Sequence, residues 1–349
     1  MPRRDRVSPF LFVALFAQTA WFADRIFRLN ALRFGVLGTA RIARRIVADM
    51  QSVDAIQVVG IASRDPARAR WYADQYGIAQ AFDSYDAMLA SDSIDAIYIP
   101  LPPSLHHDWA LAAADAGKHL IVEKPVAMTL AEAQAIDQRC RDRGRQWLDA
   151  TAWMHHLRTD RIRQSIDAGE LGRVQHISVA CSFFEPFQSD DHRLKPDLGG
   201  GCLLDLGWYA YGMARWAAGR LPVAVQSIGR QDRGIWFRSS SLLDFGDDLT
   251  ATVNCAYDTA TRKWFEIAGD QASIVCDDFT RPWPSKPARF WIHDRAGSVK
   301  SETFDGNQEA RMLATFADLV SNANAATAMN QQALDTQQIL QTVADGLAN

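Results

Sequence analysis

No Cys-x-x-Cys pair, no basic run, no internal repeat and no apolar stretch of spanning length occurs in this 349-residue chain. Its five cysteines, Cys140, Cys181, Cys202, Cys255 and Cys276, are odd in number and widely spaced. That argues against a disulfide framework and a cysteine zinc site, and reads them as packing residues; no metal site is expected. A formal net charge of −4 without a Lys/Arg tract offers nothing to a phosphate backbone, so no nucleic-acid partner is expected. The uncharged stretch from Ser8 to Ala23 has an apolar heart, Phe10 to Phe16, too short to span a bilayer comfortably. No stable membrane span is expected. Arg3, Arg4 and Arg6 before it outline an export signal, yet Trp21 and Phe22 stand where a cleavage site needs small residues. Residues 1–28 therefore read as a signal or as an extension upstream of a start near Leu29. The protein is expected in the cytoplasm, or exported if that segment acts as a signal.

What is present is ordinary soluble-protein composition, 48% hydrophobic and 22% charged, on a chain too long for one core. Two domains are expected, 29–150 and 151–349. In the first, Leu32 to Gly38 reads as a strand entering a tight turn, followed by helical apolar spacing from Thr39 to Val47. Gly38-Thr39-Ala40-Arg41-Ile42-Ala43 matches a G-x-G-x-x-G/A dinucleotide fingerprint with Ala40 at the second glycine. Ile56 to Ala62 is a second strand ending at Ser63 and Arg64, a hydroxyl and a guanidinium suited to a 2′-phosphate. Asp65 before Pro66 reads instead as a helix N-cap. NADP is therefore expected, with NAD possible. A third strand opens into Pro100-Leu101-Pro102-Pro103 and His106. Leu120-Ile121-Val122 then runs into Glu123-Lys124-Pro125, and Thr129 with Glu132 forms a capping box. Alternating strands and helices predict an α/β fold, a Rossmann-type doubly wound parallel sheet. Ligands in such sheets lie beyond the carboxyl ends of the strands, where Lys124 stands.

In the second domain, β-type runs at 175–183, 223–229, 241–245, 250–257, 264–268 and 273–277 are joined by turns, predicting a large, mostly antiparallel open sheet. Trp153-Met154-His155-His156 reads as extended chain, with the two histidines on opposite faces and one toward the pocket. Gly199-Gly200-Gly201 reads as a loop that approaches a ligand closely, leading into a helix that carries Asp205 and Tyr209 on one face. The segment 307–347 reads as helical, packing back across the first domain.

The nucleotide turn, the Ser63-Arg64 tip, the Pro-rich loop with His106, Gly117-Lys118-His119, Glu123-Lys124-Pro125 and Gly199-Gly200-Gly201-Cys202-Leu203-Leu204-Asp205 occur in one order. Together they resemble the glucose–fructose oxidoreductase / inositol dehydrogenase (Gfo/Idh/MocA) family over most of the chain. Tyr209, where that family most often has His, is similar to its glucose–fructose oxidoreductase and dihydrodiol dehydrogenase branches, while Met154 departs from its usual Arg. The resemblance implies a hydride transfer between a nicotinamide and a sugar, polyol or cyclic diol. It makes Lys124, Asp205 and Tyr209 the catalytic residues. Tyr209 would take the hydroxyl proton, Lys124 would lower its pKa, and Asp205 would hold the lysine or the substrate. The cofactor would lie against Gly38, Thr39, Ala40, Arg41, Ile42, Ser63, Arg64, Pro100, Leu101, Lys124, and His106 and Glu123 at the nicotinamide end. A homodimer or homotetramer is implied as well. Two further readings are a silent nucleotide-sensing regulator on the same fold and a redox-neutral enzyme that recycles its own nicotinamide.

Overall fold

In a computed structural model, the structure describes residues 31–184, 187–282, 286–321 and 327–348. The signal-like segment, residues 1–28, lies outside them. The first domain alternates β1 (Leu32–Leu37), α1 (Ala43–Gln51), β2 (Ile56–Ala62), α2 (Pro66–Tyr76), β3 (Gln80–Phe82) and α3 (Tyr85–Leu89). It continues with β4 (Ala96–Ile99), α4 (His106–Asp115), β5 (His119–Val122), α5 (Leu130–Asp142) and β6 (Trp147–Asp149). All six strands are parallel, in the order β3-β2-β1-β4-β5-β6. Every residue of β4 is buried, as expected of a strand covered by helices on both faces. The order reverses between β1 and β4, which opens a crevice at the strands' carboxyl ends.

Local chemistry sets the helix starts. Asp65 accepts hydrogen bonds from the N–H groups of Ala67 (2.9 Å) and Arg68, with Pro66 in the first turn, as its sequence position suggests. Thr129 Oγ1 accepts from Glu132 N–H (3.2 Å). The returning bond of this capping box is shifted, because Glu132 accepts from Met128 N–H (2.9 Å), one residue before the cap.

The second domain is built on an eight-stranded sheet. Its strands are β7 (Val174–Phe184), β8 (Ala224–Asp232), β9 (Ile235–Asp244), β10 (Thr250–Ala256), β11 (Asp258–Gly269), β12 (Ala272–Cys276), β13 (Ala288–Asp294) and β14 (Val299–Phe304). They lie in the order β14-β13-β12-β11-β7-β10-β9-β8, antiparallel except for the β7–β10 pair. Strands β7 and β11 extend beyond the expected runs at both ends, β10 ends one residue short of its run, and β13 and β14 add an edge that the sequence pattern does not announce. Before this sheet comes α6 (Leu157–Asp167); between β7 and β8 stand α7 (Cys202–Asp205) and α8 (Gly207–Ala218). All five cysteines are buried and free.

Two helices follow β14, α9 (Gln308–Ser321) and α10 (Thr327–Ala348). Met312, Leu313 and Phe316 of α9 enter the core of the first domain with Phe34, Ile46 and Val58, and the Phe316 ring lies 5.8 Å from that of Phe34. Helix α10 packs on α8 in the second domain and on α5 and β6 in the first. Among the described residues no helix is long and apolar enough to cross a membrane.

Because Phe316 is fully buried at this joint, Phe316→Ala should leave a cavity that destabilises the protein by about 3–5 kcal/mol. A urea midpoint unchanged from wild type would show that α9 contributes nothing to the first domain's core.

Candidate active site

The turn after β1 is shaped for an anion. Gly38 has φ +121°, and its N–H donates to Ala62 O at the end of β2 (2.9 Å). A Cβ at Gly38 would stand 2.9 Å from Leu101 Cδ2, so the turn passes hard against the loop after β4. Helix α1 then starts with no side chain capping it; the N–H groups of Ala43 and Arg45 donate to Ala40 O and Ile42 O within the turn, and the positive dipole end stands at the crevice. Arg68 (3.0 Å) and Tyr72 (3.2 Å) both donate to Thr39 O and hold the turn in place. Thr39 and Ser63 are buried, their hydroxyl oxygens 3.4 Å apart. Beside them Arg64 and Arg41 are exposed. The one acid at this tip, Asp65, is committed to capping α2. An uncapped helix end for a diphosphate, with hydroxyl and guanidinium groups at the next strand tip, fits NADP. Ala40 keeps the turn despite replacing a glycine.

At the tip of β5 lies a second cluster, built around a carboxylate. Lys124 Nζ donates to Asp205 Oδ1 (2.5 Å) and to the Asp205 carbonyl (3.2 Å). Asp205 Oδ2 accepts from Arg193 Nε (2.9 Å) and from the Tyr257 hydroxyl (2.9 Å). Lys124 Nζ also lies 4.8 Å from the centre of the Tyr209 ring. The peptide between Lys124 and Pro125 is cis. Burial works against both charges of the pair, but the partners prevail. Asp205 is held below, and Lys124 above, its ordinary range. Tyr209 differs: burial pushes its phenol up to about 12, although Lys124 pulls it down. The expected lowering by the lysine is present in direction and does not win.

Asp205 and Tyr209 do not share one helix. The chain breaks at Leu206, so Asp205 ends the short α7 and Tyr209 lies in the first turn of α8. The two still meet at Lys124. The glycines before them also differ from expectation, because they approach the chain itself. A Cβ on Gly200 would lie 2.6 Å from Arg193 O and 2.8 Å from Lys195 O, and one on Gly199 would lie 2.7 Å from Pro103 Cβ.

His106 does not line a nicotinamide site. It is fully buried, with Nδ1 2.8 Å from Pro125 O and Nε2 2.7 Å from Leu101 O. Burial outweighs these carbonyls and holds the imidazole at about 4, so the ring pins the β4 and β5 loops together from behind. Glu123 accepts from the Tyr98 hydroxyl (2.6 Å), and burial raises its carboxyl. Pro100 is buried and Leu101 half-buried in the loop facing the turn. His155 is not extended, because residues Ala152–His155 form a 3-10 turn; only His156 after it is extended, and both rings are buried. His156 Nδ1 accepts from Arg158 N–H and caps α6, which removes it from the pocket. Trp208 is likewise internal, its indole donating to Thr151 Oγ1 (2.7 Å) and, at 3.3 Å, to Asp149. Arg193 and Tyr257 are the residues that motif reasoning misses. Neither belongs to a motif, and Tyr257 lies 52 residues from the carboxylate it serves.

A nucleotide-shaped turn and a lysine–carboxylate–tyrosine cluster on one edge of a parallel sheet define a dinucleotide-dependent oxidoreductase. Residues 32–149 match the oxidoreductase family with an NAD-binding Rossmann fold, and residues 159–275 match the GFO/IDH/MocA C-terminal domain. The chain belongs to the Gfo/Idh/MocA family. It is 36% identical over 281 residues to D-xylose 1-dehydrogenase (NADP(+)) 2 of Haloferax volcanii, covering 80% of this chain and 86% of that one. Similarity extends to the dTDP-3,4-didehydro-2,6-dideoxy-alpha-D-glucose 3-reductase of Streptomyces violaceoruber, 31% identical over 84% of this chain and 87% of that one. Among solved structures, a tyrosine-to-phenylalanine variant of a 3-ketoreductase from Actinomadura kijaniata, in complex with TDP-benzene and NADP, superposes with a TM-score of 0.85. It is 25% identical, and the match covers 91% of this chain and 98% of that one. The protein is thus an NAD(P)-dependent oxidoreductase, and NADP is the cofactor that its relatives name.

The buried histidines give the fold a pH dependence. Burial, with Arg311 nearby, lowers His155 to about 4, and burial with Arg158 and Arg311 does the same to His156. Folded imidazoles below their unfolded value of 6.5 bind fewer protons than the unfolded chain, so stability is full above that value and is lost as pH falls toward 4. The urea midpoint should drop between pH 7 and pH 5, and by less in His155→Gln. An equal drop in that variant would remove His155 from the account.

Proposed function

We propose that the protein is an NADP-dependent oxidoreductase moving a hydride between the nicotinamide and a hydroxyl or carbonyl carbon of a sugar or polyol. The observation that carries this reading is the convergence of Lys124, Asp205 and Tyr209 on the sheet edge that holds the nucleotide turn. In the proposed complex, Gly38, Thr39, Ala40, Arg41 and Ile42 hold the diphosphate, and Ser63 and Arg64 hold the 2′-phosphate. Pro100, Leu101, Glu123 and Lys124 form the far wall. Bound nicotinamide supplies the hydride chemistry, and the chain supplies orientation and proton transfer. Tyr209, with its pKa at about 12, carries its proton at neutral pH and is poised to give it to a carbonyl oxygen. In the oxidative direction the phenol first releases its own proton to solvent, the neighbouring ammonium of Lys124 stabilises the resulting phenolate, and that oxygen then takes the hydroxyl proton. Asp205 keeps that ammonium charged and fixed. It has no free oxygen with which to act as a base.

The far face of the large sheet supports self-association. A groove of about 600 Å³ runs across it, lined by Ser178, Gln226, Ile228, Leu242, Asn254 and Trp264. Ile228 is 77% exposed and Leu242 48%. We infer a homodimer or homotetramer assembled through this face, since exposed apolar patches of this kind mark protein contacts.

Titration with NADP and NAD, followed by quenching of the 11 tryptophans, should show a preference for NADP. Arg64→Ala should cost about 1–3 kcal/mol of NADP affinity, the magnitude of a lost charged hydrogen bond, and leave NAD nearly unchanged. Lys124→Ala should leave NADP binding largely intact, with at most a few-fold loss of affinity, and lose turnover on aldoses and polyols by about 100-fold or more. Loss of binding and turnover together would make the lysine structural. Sedimentation velocity tests the assembly, where Ile228→Asp should release monomers. A monomeric wild type would sink that part of the reading.

A further inference from the structure

The loop between β7 and α7 brings one more charged group to the site. Residues 192–194 and 196–198 form two 3-10 turns. Asp191 caps the first, its Oδ1 accepting from Arg193 N–H (2.9 Å) and standing 3.4 Å from Arg193 Nη1. The glycine run closes the loop on itself: Gly201 N–H donates to Arg193 O (2.9 Å), and Gly200 N–H to Lys195 O (2.9 Å). Both bonds require the close approach that a Cβ on Gly200 would block. Gly199 meanwhile rests on Pro103, so the loop is braced against the first domain. The product of this folding is a single alignment, Arg193 Nε on Asp205 Oδ2 at 2.9 Å, with the Arg193 side chain 27% exposed.

We propose that Arg193 is a positioning residue: it clamps the outer oxygen of Asp205 so that the inner oxygen stays on Lys124, and Gly199–Gly201 serve to deliver it. A carboxylate has two oxygens and one free torsion at its end. With only Lys124 and the Tyr257 hydroxyl as partners it can rotate toward solvent, and the ammonium would follow. Two cations on opposite oxygens remove that freedom and balance a buried charge that a single partner leaves partly uncompensated. Lys124 in turn sets the place of positive charge against the Tyr209 ring. Arg193 therefore acts through Asp205 and Lys124, with no contact to the reacting carbon. Its removal affects the chemical step, while the nucleotide turn, built from β1, β2 and α1, is untouched.

This inference rests on the oxidoreductase reading, and the test separates the two. NADP affinity, KM for an aldose or polyol substrate, and kcat would be measured for wild type, Arg193→Ala, Arg193→Lys and Gly200→Ala, with thermal unfolding to confirm that each variant folds. A displacement of about 1 Å at a catalytic group can cost on the order of 100-fold in rate, which is the expected fall in kcat for Arg193→Ala. KM and NADP affinity should change by about twofold or less, the pattern of an interaction that matters in the transition state. Added guanidinium chloride should restore part of the rate to Arg193→Ala. Arg193→Lys should recover some of it, and Gly200→Ala should reproduce the loss. An unchanged kcat, a loss confined to KM, or a loss of NADP binding would overturn the proposal. If wild type itself transfers no hydride to or from any aldose or polyol, it is the oxidoreductase reading that fails. Arg193 is then judged by the acetylation rate of Lys124, read by mass spectrometry against the five other lysines. Removing a cation strengthens protonation of Lys124 and slows labelling, whereas releasing Asp205 from its clamp frees Lys124 and speeds it. Faster labelling in Arg193→Ala supports the proposal; unchanged or slower labelling overturns it.

Discussion

A single buried carboxylate imposes its needs on the rest of this molecule. Burying the charge of Asp205 without partners would cost several kcal/mol, and the group would then take up a proton instead. Three donors prevent this, and each comes from a different part of the chain: Lys124 from the tip of β5, Arg193 from the loop after β7, and Tyr257 from the corner between β10 and β11. The first belongs to the nucleotide-binding sheet and the other two to the second domain. The pairing is complete only when the two domains stand in one relation, and that relation is fixed elsewhere by apolar packing. Helix α9 inserts Met312, Leu313 and Phe316 into the first core, and α10 bridges α5 and β6 to α8. The tail is thus the structural condition for the site, although it contributes none of the residues there.

The same arrangement explains how two neighbouring groups keep opposite characters. Lys124 and Asp205 are both pushed toward their neutral forms by burial and both stay charged, because each is the other's partner. Tyr209 has no partner of that strength. Burial is its largest influence and leaves it a neutral phenol, with Lys124 close enough to stabilise the phenolate that would remain after the phenol gives its proton away. A group that keeps its proton at rest beside a fixed cation suits a step that runs in both directions.

Much of this was legible in the sequence where local rules dominate. The Asp65-Pro66 helix start, the glycine turn at Gly38 and the strand ending at Lys124 depend on neighbours within a few residues, and the structure has them in those forms. Legibility fails where tertiary contacts decide. The sequence Val299–Phe304, V-K-S-E-T-F, is apolar only at its ends, and it is a strand because β13 offers an edge to pair with. His155 and His156 suggest alternating faces, but the chain turns there to start α6, and His156 spends its ring on the cap. The three glycines announce a close approach without saying to what. They approach the backbone of Arg193 and Lys195, a contact that no local pattern encodes. Arg193 itself lies 12 residues from Asp205 in an irregular loop, outside any spacing rule.

The pairing of both cations also bears on what the site accepts. Lys124 and Arg193 are committed to Asp205, and Arg193 lies close to Asp191 as well. A carboxylate or phosphate at the reacting carbon would have to compete for a cation already held at 2.5 Å or 2.9 Å by a carboxylate of its own. A neutral hydroxyl or carbonyl makes no such demand. In the proposed reaction it would need one donor or acceptor, the role given to the Tyr209 oxygen, and a local positive potential, which Lys124 would supply without leaving its partner. The electrostatics therefore favour an uncharged reacting end, and any charge that a substrate carries belongs at its far end, away from Asp205.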